Sequence, residues 1–229
     1  MQKLSKIFNT SNINWTEAII TPHGGFSLSF HFEIMPSKFL TYAENDLTLG
    51  NENNIINALA NSKRAMMCVM DGLFDSLGLR PVRDNFPSRI KLLDEVGVLA
   101  PRILHKVNRI RNLMEHDYKM PTLEEVEEAF DISNLFVAAV MNSMNMFNSQ
   151  FSIGIEQTLS GHNNQQDAEI FFSFDDDIKV RDVRLYGNKN AISTEVKCSD
   201  QKYKNIIKVC MSIDKDVSKQ REAIINLIA

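Results

Sequence analysis

"NENNIINALANSKRAMMCVMDGLFDSLG", residues 51–78, is the stretch that decides the fold class. Ile55, Leu59, Ser62, Met66, Val69 and Leu73 recur every three or four residues, the spacing that stacks side chains on one side of an α-helix. No proline interrupts the run, and Gly78 is a natural stop because glycine tolerates the left-handed backbone of a helix end. A helix this long needs apolar partners along its length, and the neighbouring segments supply them.

"PSKFLTYAENDLTL" (36–49) opens with a proline suited to a first helical turn and places Phe39, Leu40, Ala43 and Leu47 on one side. "SRIKLLDEVG" (88–97) reads as a short helix closed by Gly97. Pro101 starts another, with Ile103, Val107, Ile110 and Met114 as its buried stripe. Thr122 and Glu125 have the spacing of a capping box, so "TLEEVEEAFDISNLFVAAVMNSMNMF" predicts a helix to about Phe147, its late methionines filling core gaps.

The flanks change period. In "FSLSFHFEI" (26–34), Phe26, Leu28, Phe30, Phe32 and Ile34 alternate with polar residues. With the turn chemistry of "TPHGG" before it, this predicts a β-hairpin over 16–34, with His23 and His31 as turn and solvent-face residues. Beyond Asn148, "FSIGIEQ", "EIFFSFD", "VRDVRLYG" and "AISTEVKC" read as four short strands, punctuated at Gly161, Asp175–Asp177 and Gly187–Asn188. A final helix is expected from about Gln201 to Ile228, with Tyr203, Ile206, Ile207, Cys210, Ile213 and Val217 on one face. The expected fold is α+β: an N-terminal β-hairpin (1–35), a central helical bundle (36–148), and a C-terminal β-meander with a long terminal helix (149–229). Because chain termini often lie close together, the hairpin and the meander can share a sheet.

At 229 residues, 44% hydrophobic and 24% charged, the chain has the composition of an ordinary soluble globular protein. Its opening residues lack the apolar core of a secretory signal, and no apolar run is long enough to span a bilayer, so no membrane association and a cytoplasmic location are expected. Cys68, Cys198 and Cys210 form no CxxC pair and read as reduced structural thiols. A net charge of −4 argues against coating nucleic acid by bulk electrostatics. The distribution is uneven: 80–111 carries eight bases and three acids, whereas 112–131 carries seven acids and one base.

The boundary between those charge blocks falls within "NRIRNLMEHDY", residues 108–118. Helical spacing puts Arg109 and His116 on one face with His105 a turn behind, and makes Arg111 and Glu115 an i, i+4 pair. Arg111 and His116 stand about 140° apart on an uninterrupted helix. They converge only if the last turn is distorted or the helix pairs with a copy of itself. Residue types alone also allow a plain helix end, with His116 favouring the C-terminal dipole. No metal cage is evident: there is no His-x3-His and no cysteine pair, and Asp175–Asp177 would point to alternate faces of a strand.

"RNLMEHDY" resembles the Arg-x4-His-x-Tyr motif of the HEPN superfamily, all-α proteins whose ribonuclease members cut RNA, including toxins paired with nucleotidyltransferase antitoxins. "FLTYAENDL" and "NALANSKRA" look like the family's opening helices. The resemblance covers roughly residues 36–147 and leaves both β-rich flanks unaccounted for. It implies a homodimeric, metal-independent endoribonuclease in a toxin or phage-defence role, needing no cofactor, with an antitoxin as partner. Arg111 would clamp phosphate, His116 would act as general acid/base, and Asn112 would hydrogen-bond phosphate or support the site. Arg109 and His105 would bind substrate. Tyr118 would be either a structural hydroxyl or the acceptor of an AMP group from the antitoxin. These residue types suit the chemistry: imidazole exchanges protons near neutrality, and guanidinium meets phosphate oxygens as a permanently charged fork. The alternative reading is a non-catalytic HEPN dimerisation or nucleotide- or protein-binding module.

Overall fold

The computed structural model describes residues 17–98, 102–154, 169–174 and 194–228. The fold is α+β, and the chain divides into two compact units. One comprises residues 28–94 and 98–145, and the other comprises the N-terminal 27 residues, 95–97 and 146–229.

The first unit is helical. Helix α1 (Pro36–Leu49) starts on its proline and ends at Gly50, whose φ of 66° is left-handed. Asn51 then caps α2 (Glu52–Ser76), its side chain accepting from the Asn54 backbone N–H at 3.1 Å. Only two residues therefore separate the helices, because the glycine that ends one directly precedes the asparagine that caps the next. Asp46 of α1 accepts from the side chains of Asn54 (2.8 Å) and Asn61 (3.2 Å), fixing α1 against α2. The apolar stripe of α2 is the core: Leu59, Ser62, Met66, Val69 and Leu73 are fully buried. Helix α3 (Phe86–Glu95) follows, and α4 (Leu104–His116) buries Leu104, Val107 and Ile110, while Ile103 is exposed just before it. Helix α5 (Leu123–Asn145) packs on α1, α2 and α4. Its start is the reciprocal capping box: the Glu125 N–H donates to Thr122 Oγ1 (3.2 Å), and the Thr122 N–H donates to Glu125 Oε2 (2.9 Å).

The hairpin expected over 16–34 is not what forms. The described strand is β1, Ile19–Gly24, and the alternating run 26–34 makes no strand. Alternation reports an extended backbone, and this one docks on helices instead of pairing in a ladder. Leu28 is buried and its N–H donates to the Met144 carbonyl (3.2 Å), while Ser76 Oγ donates to the Ser29 carbonyl (2.6 Å). Phe30 occupies the space over Gly72, where an added Cβ would stand 2.2 Å from its ring. A glycine inside α2 thus serves as a seat for an aromatic ring.

In the second unit β1 pairs antiparallel with β2 (Gln150–Gly154), which pairs antiparallel with β3 (Glu169–Ser173). Ile20 faces Ile153, Phe151 faces Phe172 and Ile153 faces Ile170, all of them buried. The Phe151 and Phe172 rings stack at 4.9 Å, worth roughly 1 kcal/mol beyond area burial. His23 is tied across the sheet, its Nε2 within 2.8 Å of Ser152 Oγ. The expected strand at 180–187 lies outside the described residues, as do residues 191–193 of that at 191–198, Gly161, Asp175–Asp177 and Gly187–Asn188; the described remainder, 194–198, forms no strand and makes only a single bridge, at Val196. The expected terminal helix is two helices, α6 (Gln201–Cys210) and α7 (Val217–Ile228). Asp216 makes the break by accepting from the Lys219 N–H (3.1 Å) as a new N-terminal cap, leaving Val217 exposed. Cys210 is buried with its thiol on the Asn148 carbonyl (3.1 Å), but Cys198 is exposed, unlike the buried thiol expected there.

Candidate anion-binding cleft beside the Arg-x4-His motif

The functional candidates on α4 follow from its pitch. Asn108, Arg111, Asn112 and Glu115 recur at three- and four-residue steps, so they share one side of the helix. Arg111 and Glu115 form the ion pair that this spacing allows, each about one-third exposed. Arg111 and Asn112 line an open cleft of about 760 Å³, together with Asn108 of the same helix, Lys63 and Arg64 of α2, and Phe86 at the start of α3.

Two of those groups were not expected from the motif. The Lys63 ammonium lies 3.8 Å from the Phe86 ring centroid, a cation–π contact, and donates to Asn108 Oδ1. Burial and then the positive charge of Arg111 bring the Lys63 ammonium down to about 8; Glu115 partly offsets this and Arg89 adds to it. Arg64 is exposed and donates to Asn61 Oδ1 (2.9 Å). The sequence signal for this set was present. Asn108 sits one turn before Arg111, and Lys63 and Arg64 lie beside the apolar stripe of α2, though helix spacing cannot show which element faces which.

Beside the cleft, Arg89 of α3 is buried and pairs with Asp71 (2.9 Å) and with Asp84 (2.6 Å), which is itself at the cleft. Burial alone would lower the Arg89 guanidinium, but the hydrogen-bonded carboxylate of Asp71 and the adjacent carboxylate of Asp84 more than offset it, so it is raised. Cys68 also lines the cleft; burial, and then Asp71, push its thiol up, which disfavours a thiolate nucleophile.

The other motif residues lie elsewhere. His116 ends α4, exposed, and does not line the cleft. The helix is regular through His116, and the Leu113 carbonyl accepts the Asp117 N–H at 3.2 Å. The 140° separation of Arg111 from His116 is therefore kept rather than relieved by a distorted turn. Arg109 is exposed, and His105 is exposed with its ring edge-on to Phe86 at 6.2 Å. Tyr118 is 91% exposed and has a left-handed backbone, φ 54°.

Chemically, the cleft offers an ammonium, two guanidiniums and three side-chain amides (Asn85, Asn108 and Asn112) to an anion, with Phe39 and Phe86 as aromatic lining. The imidazole that proton transfer requires is displayed at the end of the same helix. No described helix is long and apolar enough to cross a membrane. Comparison with known proteins found no matching family model, no matching curated protein and no matching solved structure.

Proposed function

We propose that this protein is a homodimeric, metal-independent endoribonuclease of the HEPN type, its helical unit being the HEPN-like bundle, acting in the cytoplasm as a toxin or in phage defence. The observation that carries this reading is the pairing, along one helix, of an Arg111–Asn112 anion cleft with an exposed imidazole at His116. Transphosphorylation by the ribose 2′-hydroxyl needs a base, an acid and a cation at the phosphorane. One chain supplies a single His116, held by a regular helix well round from Arg111. A second copy meeting the first at this helix end supplies the second imidazole. His116 then exchanges the protons, Arg111 clamps the phosphate, Asn112 hydrogen-bonds it, and the exposed Arg109 and His105 guide the strand. Exposure of Tyr118 suits it to modification by a nucleotidyltransferase antitoxin, which would add bulk and negative charge beside the site.

The test is incubation of the purified protein with mixed RNAs in EDTA. Products ending in 2′,3′-cyclic phosphate and 5′-hydroxyl are expected from the wild type and absent from His116→Ala. Intact RNA, or an equally active variant, removes the proposal. One observation favours the second reading, a nucleotide-binding module without catalysis: among the described residues the cleft lining contains no imidazole. That reading predicts nucleotide binding with no cleavage under any condition.

A further inference from the structure

We propose that Lys63, with Arg64 beside it, forms a subsite on the α2 side of the cleft for a backbone phosphate of single-stranded RNA, opposite the phosphate clamp at Arg111. The inference rests on the ribonuclease reading and extends it to α2, a helix outside the motif.

Three observations carry it. First, Lys63 is held by partners that do not neutralise it, the ring of Phe86 at 3.8 Å and the amide oxygen of Asn108. Second, Arg111 lines the same space, and its nearby carboxylate, Glu115, is already engaged in the ion pair on α4. Two cations facing one cleft repel each other, and an anion between them removes that repulsion. Third, the cleft of about 760 Å³ is far larger than a phosphate ion, and half-buried Phe39 of α1 adds an apolar wall against which a ribose or base can lie.

The charged groups around Lys63 are few. Arg111 and Glu115 face it from α4, Arg89 from α3, and Arg64 is its neighbour on α2. Asp84 lies at the cleft but is paired with Arg89, and α1 contributes the uncharged Phe39. Because burial and Arg111 bring Lys63 down to about 8, its charge is present at pH 7 and is lost as pH rises through that value. A strand that binds through this charge therefore starts to weaken above that value, although the bound phosphate itself holds the ammonium charged to somewhat higher pH.

The probe is a fluorescent single-stranded RNA octamer carrying 2′-O-methyl groups throughout, which binds but cannot be cut. Lys63→Gln should weaken binding about tenfold at pH 7, the usual worth of one charge-assisted contact. It should also reduce the slope of log affinity against log salt by about 0.7, one counterion on a single strand. Wild-type binding should weaken from pH 7 to pH 9 beyond any change in Lys63→Arg, which binds at both values. Stability supplies the control for folding. A lysine whose folded value is depressed works against folding at pH 7, and that penalty fades between about 8 and its ordinary 10.5. The wild-type melting temperature should therefore gain on that of Lys63→Gln as pH rises from 7 to 10. A folded Lys63→Gln protein with wild-type affinity and salt slope overturns the subsite. Inorganic phosphate or AMP bound as tightly as the octamer overturns the assignment to an RNA strand. The two proposals fail separately: an octamer held through Lys63 by a protein that cuts no RNA ends the ribonuclease reading alone, and cleavage with binding indifferent to Lys63 ends this one alone.

Discussion

The two halves of the motif on α4 occupy different surroundings. Asn108, Arg111 and Asn112 line a cleft with residues of α2 and α3, and Arg111 is paired to Glu115. His116 and Tyr118, one to two turns later, are exposed, and Tyr118 takes the left-handed backbone, φ 54°. The first half is held by neighbours in its own chain, and charges held in place need little rearrangement to meet an anion. The second half has its chemistry on display. The contrast teaches that sequence adjacency in Arg-x4-His is not spatial adjacency within one chain. Binding and proton transfer should therefore separate when each half is altered.

That separation is the largest expected effect. His116→Ala should reduce RNA turnover by about 10²–10⁴-fold, the range for losing a positioned acid or base, while affinity for the uncleavable octamer stays within twofold of wild type. Arg111→Ala should weaken octamer binding by roughly 10–100-fold through loss of a charged hydrogen-bonding fork. Single-turnover kinetics and anisotropy on the same preparations read both. If both variants lose binding equally, the two halves act as one site and the contrast is broken.

A second test bears on what holds the cleft in place. Asp71→Ala leaves the buried Arg89 with Asp84 alone, a carboxylate that is 90% exposed. A cost of about 2 kcal/mol in unfolding free energy is expected, less than for a fully buried pair because Asp71 is itself partly exposed. Asp84→Ala should cost well under 1 kcal/mol by the same denaturant titration. Equal losses would show that the exposed Asp84 holds Arg89 as firmly as Asp71 does, against the difference expected from their exposure.

Where the sequence was legible, the cause was local. The stripe Leu59–Ser62–Met66–Val69–Leu73 declared α2 because helix period is written into consecutive residues, and the Thr122–Glu125 cap formed because its partners lie three residues apart. The run at 26–34 misled because alternation specifies an extended chain and not what it pairs with; Gly72, forty-two residues beyond Phe30, supplies the seat. The break between α6 and α7 was readable in Asp216 but was overridden by the apolar spacing across it. The cleft was half legible: α4 gave Arg111 and Asn112, whereas Lys63 joins them only through the packing of α2 against α4. Tertiary juxtaposition of that kind has no signature in a single sequence.

The smallest effect concerns Tyr118, and it sharpens the comparison from the exposed side. A left-handed backbone costs a residue with a side chain about 1 kcal/mol, and a ring that is 91% exposed recovers little of it by burial. Tyr118→Gly should relieve that strain, partly offset by the greater freedom glycine loses on folding, for a gain of at most about 1 kcal/mol and a melting temperature a few degrees higher. That result is expected at protein concentrations low enough to hold the chain monomeric. At high concentration the gain should shrink or reverse if two copies meet at this helix end, because the ring is then buried and its loss weakens the dimer. A gain independent of concentration would place the dimer contact away from Tyr118, and with it the second imidazole that His116 requires.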